Sequence, residues 1–156
     1  MIETVLLDID GVLTDGAVWI NASGEETKRI LFDDIDAVFA LKRAGIRLGF
    51  ITGEDNGFSD FVKRRFEPDF FLAGCKNKLE GFKTLEKAHG LNPARTLFAG
   101  DSKKDIELLT YVGHSFAPSD VESAVRTAAK KTLKAARGTG VVREIAAYVL
   151  TVNGKS

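Results

Sequence analysis

Short apolar runs recur along this chain, each closed by a polar or glycine-containing turn and followed by a stretch with helical spacing. Parallel strands need long, usually helical, crossovers, so this alternation predicts an α/β fold around a parallel sheet. The runs are Thr4 to Ile9, Ile46 to Ile51, Asp69 to Leu72, Thr96 to Ala99 and a weaker His114 to Ala117. Helices are expected over Asp36 to Ala44, about Asn56 to Phe66, about Asn77 to His89, and Lys103 to Tyr111, with two more at Val121 to Lys131 and Val141 to Leu150. The expected fold is a Rossmann-like three-layer sandwich with a central parallel sheet.

One segment breaks the rhythm. Ala17 to Ile20, the turn Asn21-Ala22-Ser23-Gly24, and Glu25 to Phe32 predict a β-hairpin over about residues 17–32. It carries Trp19, and it either packs on its own sheet or pairs with other subunits. With 156 residues and no repeat, low-complexity tract or linker, one domain over 1–156 is expected, with a C-terminal segment over 138–156 that ends in a loose tail from Val152.

Charge and cysteine content narrow the function classes. Lys and Arg number 22 and Asp and Glu also 22, so no global field draws the chain to nucleic acid or an acidic membrane. The single cysteine, Cys75, excludes an internal disulfide and is expected to be a buried small residue. No apolar stretch approaches the roughly eighteen residues of a membrane span, and the N-terminal run is broken at Asp8, so a cytoplasmic protein is expected.

In open α/β sheets ligands bind beyond the carboxyl ends of the strands. The first run ends in Asp8-Ile9-Asp10-Gly11, the second in Thr52-Gly53-Glu54 and the fourth in Gly100-Asp101-Ser102, with Asp105 a helical turn on and Lys78 opening the helix after the third. Asp8 and Asp10, two apart on a strand, are expected to point to one spot, with Gly11 allowing a sharp turn. Joined by Asp101 and Asp105 they form an all-oxygen set suited to Mg²⁺, which shares its shell readily with phosphate. Lys78 and the Thr52 hydroxyl add the fixed charge and hydrogen bond that a transferring phosphoryl group needs, and an Asp carboxylate can serve as nucleophile. Singly, these residues are explained as turns, caps and solvated side chains. Their convergence on one sheet edge favours phosphoryl transfer.

These residues carry a family resemblance. Asp8 to Gly16 (DIDGVLTDG), Ile51-Thr52-Gly53, Lys78 and Gly100 to Asp105 resemble the four motifs of the haloacid dehalogenase superfamily of phosphatases. With the early hairpin, no cap domain and Gly138 to Glu144 late in the chain, the resemblance is to the small branch of 3-deoxy-octulosonate (KDO) 8-phosphate and nonulosonate 9-phosphate phosphatases. The resemblance implies that Asp8 attacks phosphorus and that Asp10 protonates the leaving alcohol and later activates water. It implies that Asp8, the Asp10 backbone carbonyl and Asp101 hold Mg²⁺ with Asp105 in support, and that Thr52 and Lys78 bind phosphoryl oxygens. It also implies a homotetramer in which hairpins associate and neighbouring subunits close each site, acting on a phosphorylated sugar acid.

The chain departs from the octulosonate pattern at Asp33-Asp34-Ile35, Ser102, Glu54 and Thr139, where arginines or a further acid are common. Glu54, following Gly53, is more like the nonulosonate branch. Arg64, Arg65 and Arg143 are expected to supply the missing carboxylate clamp. His89 and His114 are assigned to structure, and Lys130, Lys131, Lys134 and Arg137 to a solvated basic face. Two rival readings are a phosphorylation-dependent receiver domain, disfavoured by the order of its acids, and a catalytically silent oligomerisation module attached to sugar-nucleotide synthesis, disfavoured by retention of every reactive residue.

Overall fold

The structure is a computed structural model and describes residues 1–155. Strands β1 (Thr4–Leu7), β4 (Arg47–Ile51), β5 (Phe70–Leu72), β6 (Thr96–Ala99), β7 (His114–Ala117) and β8 (Lys131–Thr132) form one sheet in the order β5-β4-β1-β6-β7-β8. Every pairing in it is parallel. Strands β2 (Trp19–Ile20) and β3 (Glu26–Thr27) form a separate antiparallel hairpin.

Alternation along the strands builds two cores. Val5, Leu7, Leu48, Phe50, Leu97, Ala99 and Phe116 point to one face, where helices α1 (Phe32–Arg43), α2 (Gly57–Phe66) and α6 (Val141–Val152) bury Leu41, Phe66 and Ile145 against them. Leu6, Ile51, Phe98 and Ala117 point to the other, against Phe82 and Leu85 of α3 (Lys78–His89), Leu109 of α4 (Ile106–Tyr111) and Val125 of α5 (Ser123–Ala128). Strands covered on both faces read as unbroken apolar runs, which is why they stood out in the sequence. The fold is the expected Rossmann-like three-layer sandwich.

Local chemistry sets the helix ends. Asn56 caps α2 by accepting from the Phe58 and Ser59 amides, and Asn77 caps α3 by accepting from Glu80. Helix α6 follows Gly140 at φ +111, which has no side chain to cap it. Asp34 of α1 does so instead, its Oδ1 accepting from the Arg143 amide at 2.9 Å.

Several boundaries differ from expectation. β1 stops at Leu7, and Asp8 leads into a tight turn over Ile9–Leu13 in which Gly11 takes φ +85. Helix α1 begins at Phe32, four residues before the expected start, and so takes Phe32 from the hairpin. Lys103–Asp105 form a 3₁₀ turn ahead of α4. The segment expected as a helix to Lys131 ends at Ala128, and Lys131–Thr132 become a sixth strand beside β7. Two exposed polar residues carry no apolar pattern, so nothing marked them as a strand. The end of the chain is pinned through Lys155: the Asn153 amide group exchanges two hydrogen bonds with the Ile2 backbone, and Lys155 donates to the Ala44 carbonyl. Ser156, the last residue of the expected loose tail, lies outside the described residues.

Candidate active site

Three strand ends and one helix start converge on a cavity of about 210 Å³ lined by Asp8, Asp10, Thr52, Lys78, Asp101 and Lys104, among others. Asp8 follows β1, its amide tied to the Ala99 carbonyl of β6, and its side chain is buried. Asp8 Oδ1 accepts from the Ile9 amide at 2.8 Å and meets Lys78 Nζ at 2.9 Å. Lys78, the first residue of α3, is also buried and donates to Asp105 Oδ1 at 2.6 Å. Asp105 Oδ2 accepts from the Asp101 and Ser102 amides at 2.9 and 3.0 Å. Asp105 thus holds both the Lys78 ammonium and the loop that presents Asp101.

Glycines allow this crowding at two points. A Cβ on Gly11 would lie 1.8 Å from Asp101 Oδ2, and one on Gly100 would lie 2.6 Å from the Asp105 Cβ. Gly11 is required twice over, because its φ of +85 is also one that L-residues rarely adopt.

Carboxylate oxygens of Asp8, Asp101 and Asp105 lie within 4.8 Å of one another. Burial pushes the Asp8 carboxyl well above the ordinary range, and Lys78 only partly offsets it. Burial also raises Asp101, with Asp105 adding to the effect. Lys78 shows the opposite balance: burial works against its ammonium, but Asp8 and Asp105 outweigh it and hold its pKa above the usual lysine value. Two buried acids, Asp8 and Asp105, therefore share one buried ammonium, while the half-buried Asp101 has the partly exposed Arg137 guanidinium 3.6 Å from its Oδ2. Such a carboxylate-rich site fits a small divalent cation.

Asp10 is placed differently from expectation. Its carboxylate lines the cavity but does not belong to the three-acid cluster, because the chain has left the strand before Asp10 and strand alternation no longer governs it. Asp10 Oδ1 instead accepts from Lys28 Nζ at 2.8 Å and from the Thr14 hydroxyl at 3.5 Å. Thr52 ends buried beyond β4, its hydroxyl oxygen accepting from the Glu54 amide at 3.2 Å, and Gly53 and Glu54 line the same cavity.

The expected arginines do not reach it. Arg65 stacks over the Phe39 ring at 5.3 Å, and Arg143 pairs with Asp33 at 2.5 Å, because α2 and α6 direct these side chains onto α1. Arg64 borders a separate open depression of about 740 Å³ with Asp60, Lys63, Glu67 and Pro68, a charged surface that includes none of the residues lining the acidic cavity. Cys75 is half-buried rather than buried and lines the acidic cavity. Sequence reasoning missed Lys28, which comes from the hairpin, and Arg137, which it placed on a solvated face but which also bonds Asp120. Neither carries a local signal, since both contacts span distant segments.

A profile for haloacid dehalogenase-like hydrolases matches residues 70–145, a stretch that holds Lys78, Asp101 and Asp105 but begins after Asp8, Asp10 and Thr52. The 3-deoxy-D-manno-octulosonate 8-phosphate phosphatase of Haemophilus influenzae is 31% identical over 159 residues, an alignment covering 99% of this chain and 86% of the relative. The chain belongs to the haloacid dehalogenase-like hydrolases. Within that family it is a phosphatase. The haloacid dehalogenase fold is matched closely by the structure of the octulosonate 8-phosphate phosphatase of Moraxella catarrhalis, solved with magnesium, phosphate and KDO, at a TM-score of 0.93 and 26% identity over 99% of this chain and 89% of that one. N-acylneuraminate cytidylyltransferase B of Danio rerio is 30% identical over 162 residues, but this haloacid dehalogenase domain spans 37% of its length.

Proposed function

We propose that this phosphatase hydrolyses the phosphate monoester of a 3-deoxy-2-keto sugar acid, with KDO 8-phosphate the leading substrate and a nonulosonate 9-phosphate the alternative. The observation that carries the reading is the buried Asp8 held 2.9 Å from Lys78 beside Asp101 and Asp105, in a chain aligned over 99% of its length with an octulosonate phosphatase.

In the proposed reaction Asp8 attacks phosphorus to form an aspartyl-phosphate, and the bond from phosphorus to the leaving oxygen breaks. Asp10 gives that oxygen a proton, then accepts one from the water that hydrolyses the intermediate. Lys78 and the Thr52 hydroxyl bind phosphoryl oxygens, which requires Thr52 to turn its hydroxyl toward the substrate. Asp8, Asp101 and the Asp10 backbone carbonyl would hold Mg²⁺, whose chemistry there is to neutralise charge between carboxylate and phosphate. Asp105, with both oxygens already engaged, supports that set rather than entering it.

Trp19, Ile20 and Phe32 are 72%, 61% and 77% exposed, so the reading includes a homotetramer joined through the hairpins, with neighbours closing each site. No helix among the described residues is long and apolar enough to cross a membrane, and a cytoplasmic reaction is part of the same proposal.

The test is phosphate release with Mg²⁺ from KDO 8-phosphate, nonulosonate 9-phosphates and simple sugar phosphates, with Asp8→Asn as control. Strong preference for one sugar acid, lost in the variant, supports the reading and names the substrate. Faster cleavage of small aliphatic phosphates overturns the substrate class. No release from any compound would favour the second reading, a silent module, for which the cytidylyltransferase similarity speaks.

A further inference from the structure

Lys28 lies one residue beyond β3, on the limb of the hairpin that returns toward α1. Its side chain is only 9% exposed, although the four paired residues of the hairpin are all exposed. The aliphatic stem crosses toward α2, with the ammonium 5.1 Å from the centre of the Phe58 ring. The ammonium meets Asp10 Oδ1 at 2.8 Å, and the Thr14 hydroxyl approaches the same oxygen at 3.5 Å. Among the described residues no group bonds Asp10 Oδ2, and Asp10 lines the cavity. One carboxylate oxygen is therefore committed to the protein and the other is left for chemistry.

We propose that Lys28 is a positioning residue for departure of the leaving group, fixing Asp10 Oδ1 so that Oδ2 presents the proton. This rests on the reading of Asp10 as the general acid. In the step concerned, the bond between phosphorus and the leaving oxygen breaks, its electron pair stays on that oxygen, and the proton moves there from Asp10 Oδ2. Asp10 is left as a carboxylate with the Lys28 ammonium already beside it. The hairpin thus carries part of the reaction's geometry.

A purely structural tie would affect every substrate alike, whereas a role in proton delivery matters only where the leaving group needs a proton. The experiment compares kcat/KM for two substrates: whichever sugar phosphate of the panel is cleaved fastest, and 2,4-dinitrophenyl phosphate, which leaves as a stable phenolate. The ratio kcat/KM covers only the steps through departure of the leaving group, so the later role of Asp10 as base does not enter. Lys28→Met and Lys28→Gln are expected to lower it about 10- to 100-fold for the sugar phosphate and to change it less than about twofold for the dinitrophenyl ester. Retained turnover of the dinitrophenyl ester also reports an intact fold. Equal losses on both substrates, or no loss on either, would overturn the proposal. Asp10→Asn is measured in parallel: if it shows no selective loss, the reading of Asp10 has failed rather than the placement of Lys28.

Discussion

Asp8 is a carboxylate that the fold holds where ionisation is unfavourable, because burial outweighs the attraction of Lys78. Asp8→Asn removes the proposed nucleophile without changing side-chain size. Phosphate release is expected to fall to background while the circular dichroism spectrum and the metal-free melting temperature do not drop; a clear drop in either would mean the Asp8–Lys78 pair stabilises the fold. Gly11 is the other residue on which the site turns. In Gly11→Ala a methyl would have to occupy the space of Asp101 Oδ2, and the left-handed backbone alone costs an alanine about 1–2 kcal/mol. Calorimetric titration is expected to find Mg²⁺ binding weakened about 10- to 100-fold, with a lower melting temperature.

Helix α6 depends on a residue from another element. Gly140 offers no cap, and Asp34, fully buried on α1, accepts the Arg143 amide with one oxygen while Oδ2 has no hydrogen-bond partner among the described residues. Burial raises the Asp34 carboxyl despite this bond. Removing the cap by Asp34→Ala is expected to cost about 0.5–2 kcal/mol in urea denaturation, and Asp34→Asn, which keeps the acceptor, to recover most of the loss. Equal losses in both variants would show that the charge, not the acceptor, matters. The hairpin is the opposite case, an element whose strands are exposed and whose firmest polar link to the rest is Lys28 on Asp10.

At the scale of the whole molecule, the raised carboxyls of Asp8, Asp34 and Asp101 dominate the pH response of the metal-free protein. A group with a higher pKa folded than unfolded binds more protons in the folded state between those two values, so stability falls as pH rises through that window. Asp15, Asp120 and His114 shift the other way: the two acids are close to solvent and count for little, while burial lowers the partly buried His114, whose contribution to stability grows as pH rises and offsets part of the decline. The contribution of Lys78, raised by its acids, is present throughout this range and is lost only at alkaline pH. Thermal melts in chelator between about pH 5 and pH 8 are expected to show declining stability toward neutrality, and saturating Mg²⁺ to remove most of the decline. A profile in chelator that rises with pH would contradict the assignment. For assembly, light scattering is expected to give about four times the 17.0 kDa of one chain, and Trp19→Asp with Ile20→Asp to reduce it without unfolding the chain.

Five of the six sheet strands and the identity of the acidic residues were legible in the chain, because buried parallel strands must be apolar and their ends must turn. The sixth strand was not, because Lys131 and Thr132 gain their place only by pairing with β7. Periodicity likewise located Asp8, Thr52, Lys78, Asp101 and Asp105 at one sheet edge, since each sits within a few residues of an element boundary. Where a side chain points once the chain has left a strand or helix is decided by contacts between distant segments. The turn at Gly11 took Asp10 out of the acidic cluster, and the hairpin brought Lys28 to it across eighteen positions of sequence. Arg65 and Arg143 were claimed by Phe39 and Asp33 for the same reason: a long cationic side chain settles on whichever partner the packing of helices brings near.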